Sequence, residues 1–243
     1  MNPLLAVTKP NPASLWLIAV TAATFASASA RAQSSCSSDG QSRPVALLER
    51  FINADCRDCW MDAGAPRASG RELVLDWILP GTQGDDAPLS AVATRDGLKR
   101  LEALGSTAPS GSNSRKTPVN GRPGTLRVAH GLPVSGYIGA SIALKQAPPD
   151  PAAQPWSAWL ALVETIPVGT EGTPVARNLV RNLIQVPWDG RHPPSTPARP
   201  GFIESRSMDV PPGMNTERLR VIGWVQDAQG RIVAAAQSRC AGR

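Results

Sequence analysis

The chain has 243 residues, of which 42% are hydrophobic, with a formal net charge of +6 and four cysteines. That length can bury a real core, as one large domain or two small ones. Arg carries most of the positive charge, and no Lys/Arg block or aromatic–basic interleaving is present, so no nucleic-acid partner is expected.

The first segment has the three zones of a secretory signal. Lys9 is the only charge before Arg31, Leu15 to Phe25 is an apolar run of eleven residues, and Ala30-Arg31-Ala32 supplies a small-x-small pattern that puts cleavage before Gln33. A bilayer span needs about 20 apolar residues, so the run is too short to serve as an anchor. Residues 1–32 are therefore expected to be a signal peptide, and the mature chain an exported protein, most naturally periplasmic, with no membrane span. Its removal takes away Lys9 and Arg31 and leaves a net charge of +4. Secretion to the medium is an alternative address. So is a lipid anchor on Cys36, although Gln33 stands where a lipobox has an aliphatic residue.

The cysteines are Cys36, Cys56, Cys59 and Cys240. An even count in an exported chain permits two disulfides, in any of three pairings. Cys56 and Cys59 are close enough to pair with each other, which leaves Cys36 and Cys240. Chain ends often lie close together, so a terminal staple is the expectation. The alternative is that Cys36 or Cys240 is free.

In chain order, PVALLERFI at 44–52 has apolar groups on both alternating faces, as a central buried strand does. A turn at Asn53-Ala54-Asp55 leads to a short helix opening at Cys56, and ELVLDWIL at 72–79 is a second apolar strand. Leu89, Val92, Leu98, Leu101 and Leu104 predict an amphipathic helix over 88–104, stopped by Gly105. Residues 105–124 are rich in Ser, Gly, Pro and Asn and read as loop. After them come short runs rich in Val, Ile, Leu and Trp at 125–130, 136–145, 156–164, 177–186, 218–226 and 230–237. The last two flank Asp227-Ala228-Gln229-Gly230, a hairpin loop. The Pro-rich stretch 187–213 reads as a long surface loop. The expected architecture is an α/β unit with parallel strands over residues 40–124, followed by a β-rich, mostly antiparallel unit over 125–243.

Chemistry concentrates in Cys56-Arg57-Asp58-Cys59, just after a buried strand and at a helix start. Two intervening residues on a helical turn let the sulfurs meet, and the helix N-terminus favours a thiolate at Cys56. Arg57 favours it further, while Asp55 and Asp58 oppose it. A c-type haem site needs His at position 60, which is Trp; a zinc site needs more ligands, and neither His130 nor His192 neighbours a cysteine in sequence. No cofactor is expected. His130 reads as a turn residue, His192 as solvated, and Arg177 and Arg181 as a solvated face. Trp156, Trp159 and Trp224 read as β-core or sheet-surface aromatics.

The strand–CxxC–helix start resembles the thioredoxin superfamily. More narrowly, the chain is similar to secreted bacterial thioredoxin-like proteins of unknown function that carry a C-terminal β region. The matching pieces are PVALLERFINADCRDC, LVLDW at 73–77, Thr117-Pro118 with Val119-Asn120-Gly121, Ala176 to Leu183, and Trp188-Asp189-Gly190. Asp55 stands where the superfamily often has Trp, and Trp60 where the narrower family tends to have Pro. The resemblance implies a thioredoxin-like domain over 40–124, with Cys56 as the exposed nucleophile, Cys59 as the resolving thiol, and Pro118 as a cis-proline beside the disulfide. It implies a thiol–disulfide oxidoreductase whose partners are client thiols or disulfides. The competing expectation is a non-catalytic envelope module that binds or supports other components.

Overall fold

Short apolar runs divided by Pro and Gly form most of the strands among the described residues. The computed structural model describes residues 36–121, 126–145, 155–188 and 201–240; the expected signal peptide and its cleavage site lie outside them, as does His192. In chain order the strands are β1 (Cys36–Ser37), β2 (Ala46–Asn53), β3 (Glu72–Leu79), β4 (Ser112–Pro118), β5 (Leu126–His130), β6 (Tyr137–Leu144), β7 (Trp156–Ile166), β8 (Arg177–Trp188), β9 (Phe202–Asp209), β10 (Leu219–Gln226), β11 (Ile232–Gln237) and β12 (Arg239–Cys240). The α-helices are α1 (Arg57–Trp60) and α2 (Asp96–Ala103). No helix among the described residues is long and apolar enough to cross a membrane.

The strands form two sheets. One has seven strands in the order β11-β10-β7-β8-β3-β2-β4, and the other has five in the order β12-β1-β5-β6-β9. The described residues make one compact unit, and strands from both sides of residue 124 share the seven-stranded sheet.

The α/β, thioredoxin-like expectation for the first half is overturned. Among the described residues the protein is mostly β, and the α-helices span only four and eight residues. Among the described residues, parallel pairing is limited to β2 with β3, a bridge between Asp76 of β3 and Leu179 of β8, and an isolated bridge between Val119 and Ile232. Two physical reasons account for the difference. The apolar repeat over 88–104 belongs to two segments: Leu89, just before a 3₁₀ turn, and Val92, its last residue, pack at one end of the sheet, whereas Leu101 and Leu104, in and just after α2, pack on its face. Second, the expected loop 105–124 contains β4, which pairs antiparallel with β2 through backbone groups alone and carries almost no apolar side chain. The stretch 187–213 similarly contains β9, antiparallel to β6, where only Phe202 and Met208 turn inward.

The core lies in three places. Leu126, Val128, Ile142, Leu160, Leu162 and Val221 fill the space between the two sheets. The opposite face of the seven-stranded sheet carries Phe51, Trp77, Trp159 and Trp224 beneath α2. A Cβ on Gly97 of α2 would come within 2.5 Å of Leu79, so glycine permits the close approach of helix to strand. Because β7 has core on both faces, Leu160 and Leu162 point one way while Trp159, Ala161 and Val163 point the other, and its sequence is apolar without alternation. The third cluster, with Ile52, Trp60, Ile78 and Leu179, sits beneath the CxxC turn.

Candidate functional site

The CxxC turn forms where β2 ends. Asn53 closes the turn: its side-chain oxygen accepts the Asp55 N–H and its carbonyl accepts the Cys56 N–H. Cys56 is then the N-cap of α1, and its Sγ accepts the backbone N–H of Cys59 at 3.2 Å. Cys56 and Cys59 are joined in a disulfide, with Cα atoms 5.3 Å apart, and both residues are half-buried. A cleft of about 180 Å³ opens beside Cys59, lined also by Arg50, Asp62, Asn113 and Arg177.

Asp55 fastens the outer side of the turn. Its carboxylate accepts the N–H and hydroxyl of Thr82 and the N–H of Gln83. Desolvation pushes this carboxyl up, but those three donors outweigh it and hold Asp55 below its ordinary value.

Beneath the turn lies a buried charge network that the sequence reading missed. Asp76, in the middle of β3, accepts Nε and Nη2 of Arg50 at 2.8 Å each, Nη1 of Arg177 at 3.1 Å, and the Asn178 backbone N–H. Arg177 also donates to the carbonyl of Trp60 at 2.8 Å and, more weakly, to that of Cys59, and its guanidinium lies over the Trp60 ring. Burial pulls the Arg177 pKa down, with the Asp76 carboxylate opposing that shift. Trp60 is fixed in turn by its indole N–H, donated to the Glu171 carbonyl. The expectation that Arg177 and Arg181 form a solvated face is therefore wrong: both are buried. A charge set inside an otherwise unbroken apolar strand, as Asp76 is in LVLDWIL, was the available signal.

Pro118 does not join this site. In the β2–β4 ladder Pro118 pairs with Ala46, whereas Ile52, nearest the CxxC turn, pairs with Ser112. Six residues of strand, about 20 Å, separate Pro118 from the turn. Its peptide bond is trans, like the others described. The residue beside the disulfide is Gly111, where a Cβ would lie 3.5 Å from Cys59 Sγ, and whose carbonyl accepts the Asn53 N–H.

The other two cysteines meet as expected: Cys36 and Cys240 form a disulfide between β1 and β12, with Cα atoms 3.9 Å apart. Trp159 and Trp224 are buried and stacked on each other, with the Arg100 guanidinium over both rings, so they belong to the core and present no binding face. No known family model matches the chain, and no curated protein does.

Proposed function

We propose that Cys56–Cys59 is a redox-active disulfide and that the protein exchanges disulfides with client thiols outside the cytosol. The observation that carries this reading is a half-buried CxxC disulfide at a strand-to-helix turn, with a donated backbone N–H on the first sulfur and a cleft beside the second. The thioredoxin-superfamily likeness supports it through the strand–CxxC–turn alone. An exported location is supported by the signal-like leader and by the two disulfides.

In the proposed reaction a client thiolate attacks Cys56 Sγ and the Cys59 thiolate leaves, giving a mixed disulfide. A second client thiol then displaces Cys56. The client loses two electrons and two protons to form its disulfide, and the protein gains them as the Cys56/Cys59 dithiol. The Cys59 N–H stabilises the Cys56 thiolate, and Arg57 adds to it.

The rival reading, a structural clasp in a non-catalytic module, draws support from the grip of Arg177 on the Cys59 and Trp60 carbonyls. One experiment separates them. After mild reduction, limiting alkylating reagent labels Cys56 before Cys59, and a Cys59→Ser variant accumulates a mixed disulfide at Cys56 with a thiol peptide. Labelling of Cys59 first, or of neither without denaturant, favours the clasp.

A further inference from the structure

Three neighbouring strands put two cysteines and a histidine in one row. Cys240 of β12 is the direct partner of Cys36 in β1, and Cys36 is the direct partner of His130 in β5. Directly opposed residues point to the same face of a sheet, and the sulfurs and an imidazole nitrogen lie within 4.8 Å of one another. Cys36 and His130 are buried, while Cys240 is half-buried. His130 is also oriented: its Nδ1 lies 2.8 Å from the Gly131 carbonyl oxygen. A carbonyl only accepts, so Nδ1 carries the proton and the neutral ring has its lone pair on Nε2. A backbone carbonyl holding one ring N–H is the support that metal-ligating histidines receive from their surroundings.

We propose that this row is a redox-gated metal site. With the disulfide closed, Cys36–Cys240 is a covalent staple. When an external dithiol reduces it, the Cys36 and Cys240 thiolates and His130 Nε2 bind one Zn²⁺, which then holds β12 to β1 in place of the covalent bond. The reducing dithiol gives two electrons and two protons and leaves as its own disulfide. Zinc binding then releases the two thiol protons to solvent. Two sulfurs and one nitrogen suit zinc, whose tetrahedral bonds of about 2.3 Å to sulfur and 2.0–2.1 Å to nitrogen set donor separations of about 3.6–3.8 Å, within reach of the observed cluster. A water would complete the four-coordinate shell. This site is independent of the chemistry proposed for Cys56 and Cys59.

The test uses the mature chain with Cys56→Ser and Cys59→Ser, so that Cys36 and Cys240 are its only thiols. The protein is reduced with a phosphine and titrated with Co²⁺, then with Zn²⁺ as competitor, while circular dichroism follows the fold. The expected result is one Co²⁺ per chain with thiolate-to-cobalt charge-transfer absorption, displaced by Zn²⁺, and a higher melting temperature of the reduced protein in zinc. The oxidised protein binds none, and His130→Ala weakens binding by ~10-fold or more. The proposal is overturned by a reduced, folded chain that takes up no metal, or by equal affinity in His130→Ala. It is equally overturned by a reduced chain that unfolds and is not restored by zinc.

Discussion

Replacing Asp76 by Asn should be among the most damaging single changes in the seven-stranded sheet. The substitution keeps the volume and removes the charge. It leaves Arg50, at 3% exposure, and Arg177, at 1%, facing each other with no carboxylate between them. Four hydrogen bonds converge on the Asp76 carboxylate, three of them from guanidinium groups. Removing one partner of a buried ion pair costs about 3–5 kcal/mol, because the remaining charge stays desolvated. Here two guanidinium groups are stranded, and an amide oxygen recovers at most part of one contact, so a loss of about 4 kcal/mol is expected. That is a large share of the ~5–15 kcal/mol by which a domain is stable. Equilibrium urea unfolding of the oxidised protein measures it, as a lower midpoint at unchanged slope. Arg177 should also release the Cys59 and Trp60 carbonyls, so the CxxC disulfide should reduce faster in the variant. A stability loss under about 1 kcal/mol would refute the reasoning, because it would mean that the guanidinium groups are solvated in the folded protein.

Three further outcomes follow from the same geometry. Replacing Cys36 and Cys240 together by Ala removes a cross-link spanning 204 residues and should lower stability by up to about 5 kcal/mol in the chain-entropy view, with thermal unfolding as the readout. Arg100→Met strands Glu49, fully buried and paired with Arg100 at 2.8 Å, and should cost about 3–5 kcal/mol, whereas Glu49→Leu combined with Arg100→Met should recover most of it; a double variant no better than the single would count against this account. Asp39 is held below its ordinary value first by Arg127, and Glu72 first by Lys116, while in Asp55 the Thr82 and Gln83 donors overcome desolvation. Depressed folded-state values stabilise the protein above the unfolded pKa of about 4 and stop doing so as pH falls through the folded values. The urea midpoint should therefore drop between pH 5.5 and pH 3, and should drop less in Asp55→Asn.

Local order was legible where side chains carry it. β2, β3, β5 to β8, β10 and β11 are apolar runs bounded by Pro or Gly, and each forms close to where the sequence puts it. β4 and β9 were not legible, because edge strands pair through backbone and need few apolar residues: SNSRKTP has none before its terminal Pro118, and FIESRSMD has two that point inward. The layer arrangement was misread because a strand–CxxC–strand order is local, whereas the decision to join β3 to β8 brings Asp76 beside Leu179 from a hundred residues away. Register explains the rest of the site. Thr117-Pro118 looks like a disulfide neighbour until the β2–β4 ladder carries it to the far end of the strand. His130 looks remote from any cysteine until β1 lies against β5.

The central claim is that Cys56 and Cys59 form an exchanging couple, and its reduction potential tests that most directly. The oxidised protein is equilibrated in thiol–disulfide buffers of graded potential, quenched in acid, and the labelling of Cys56 and Cys59 is read peptide by peptide. A midpoint above about −300 mV, in the range of catalytic and labile disulfides, is the predicted result. A midpoint below about −300 mV, where structural disulfides resist reduction, would contradict it and leave the CxxC turn as a clasp on the end of the sheet.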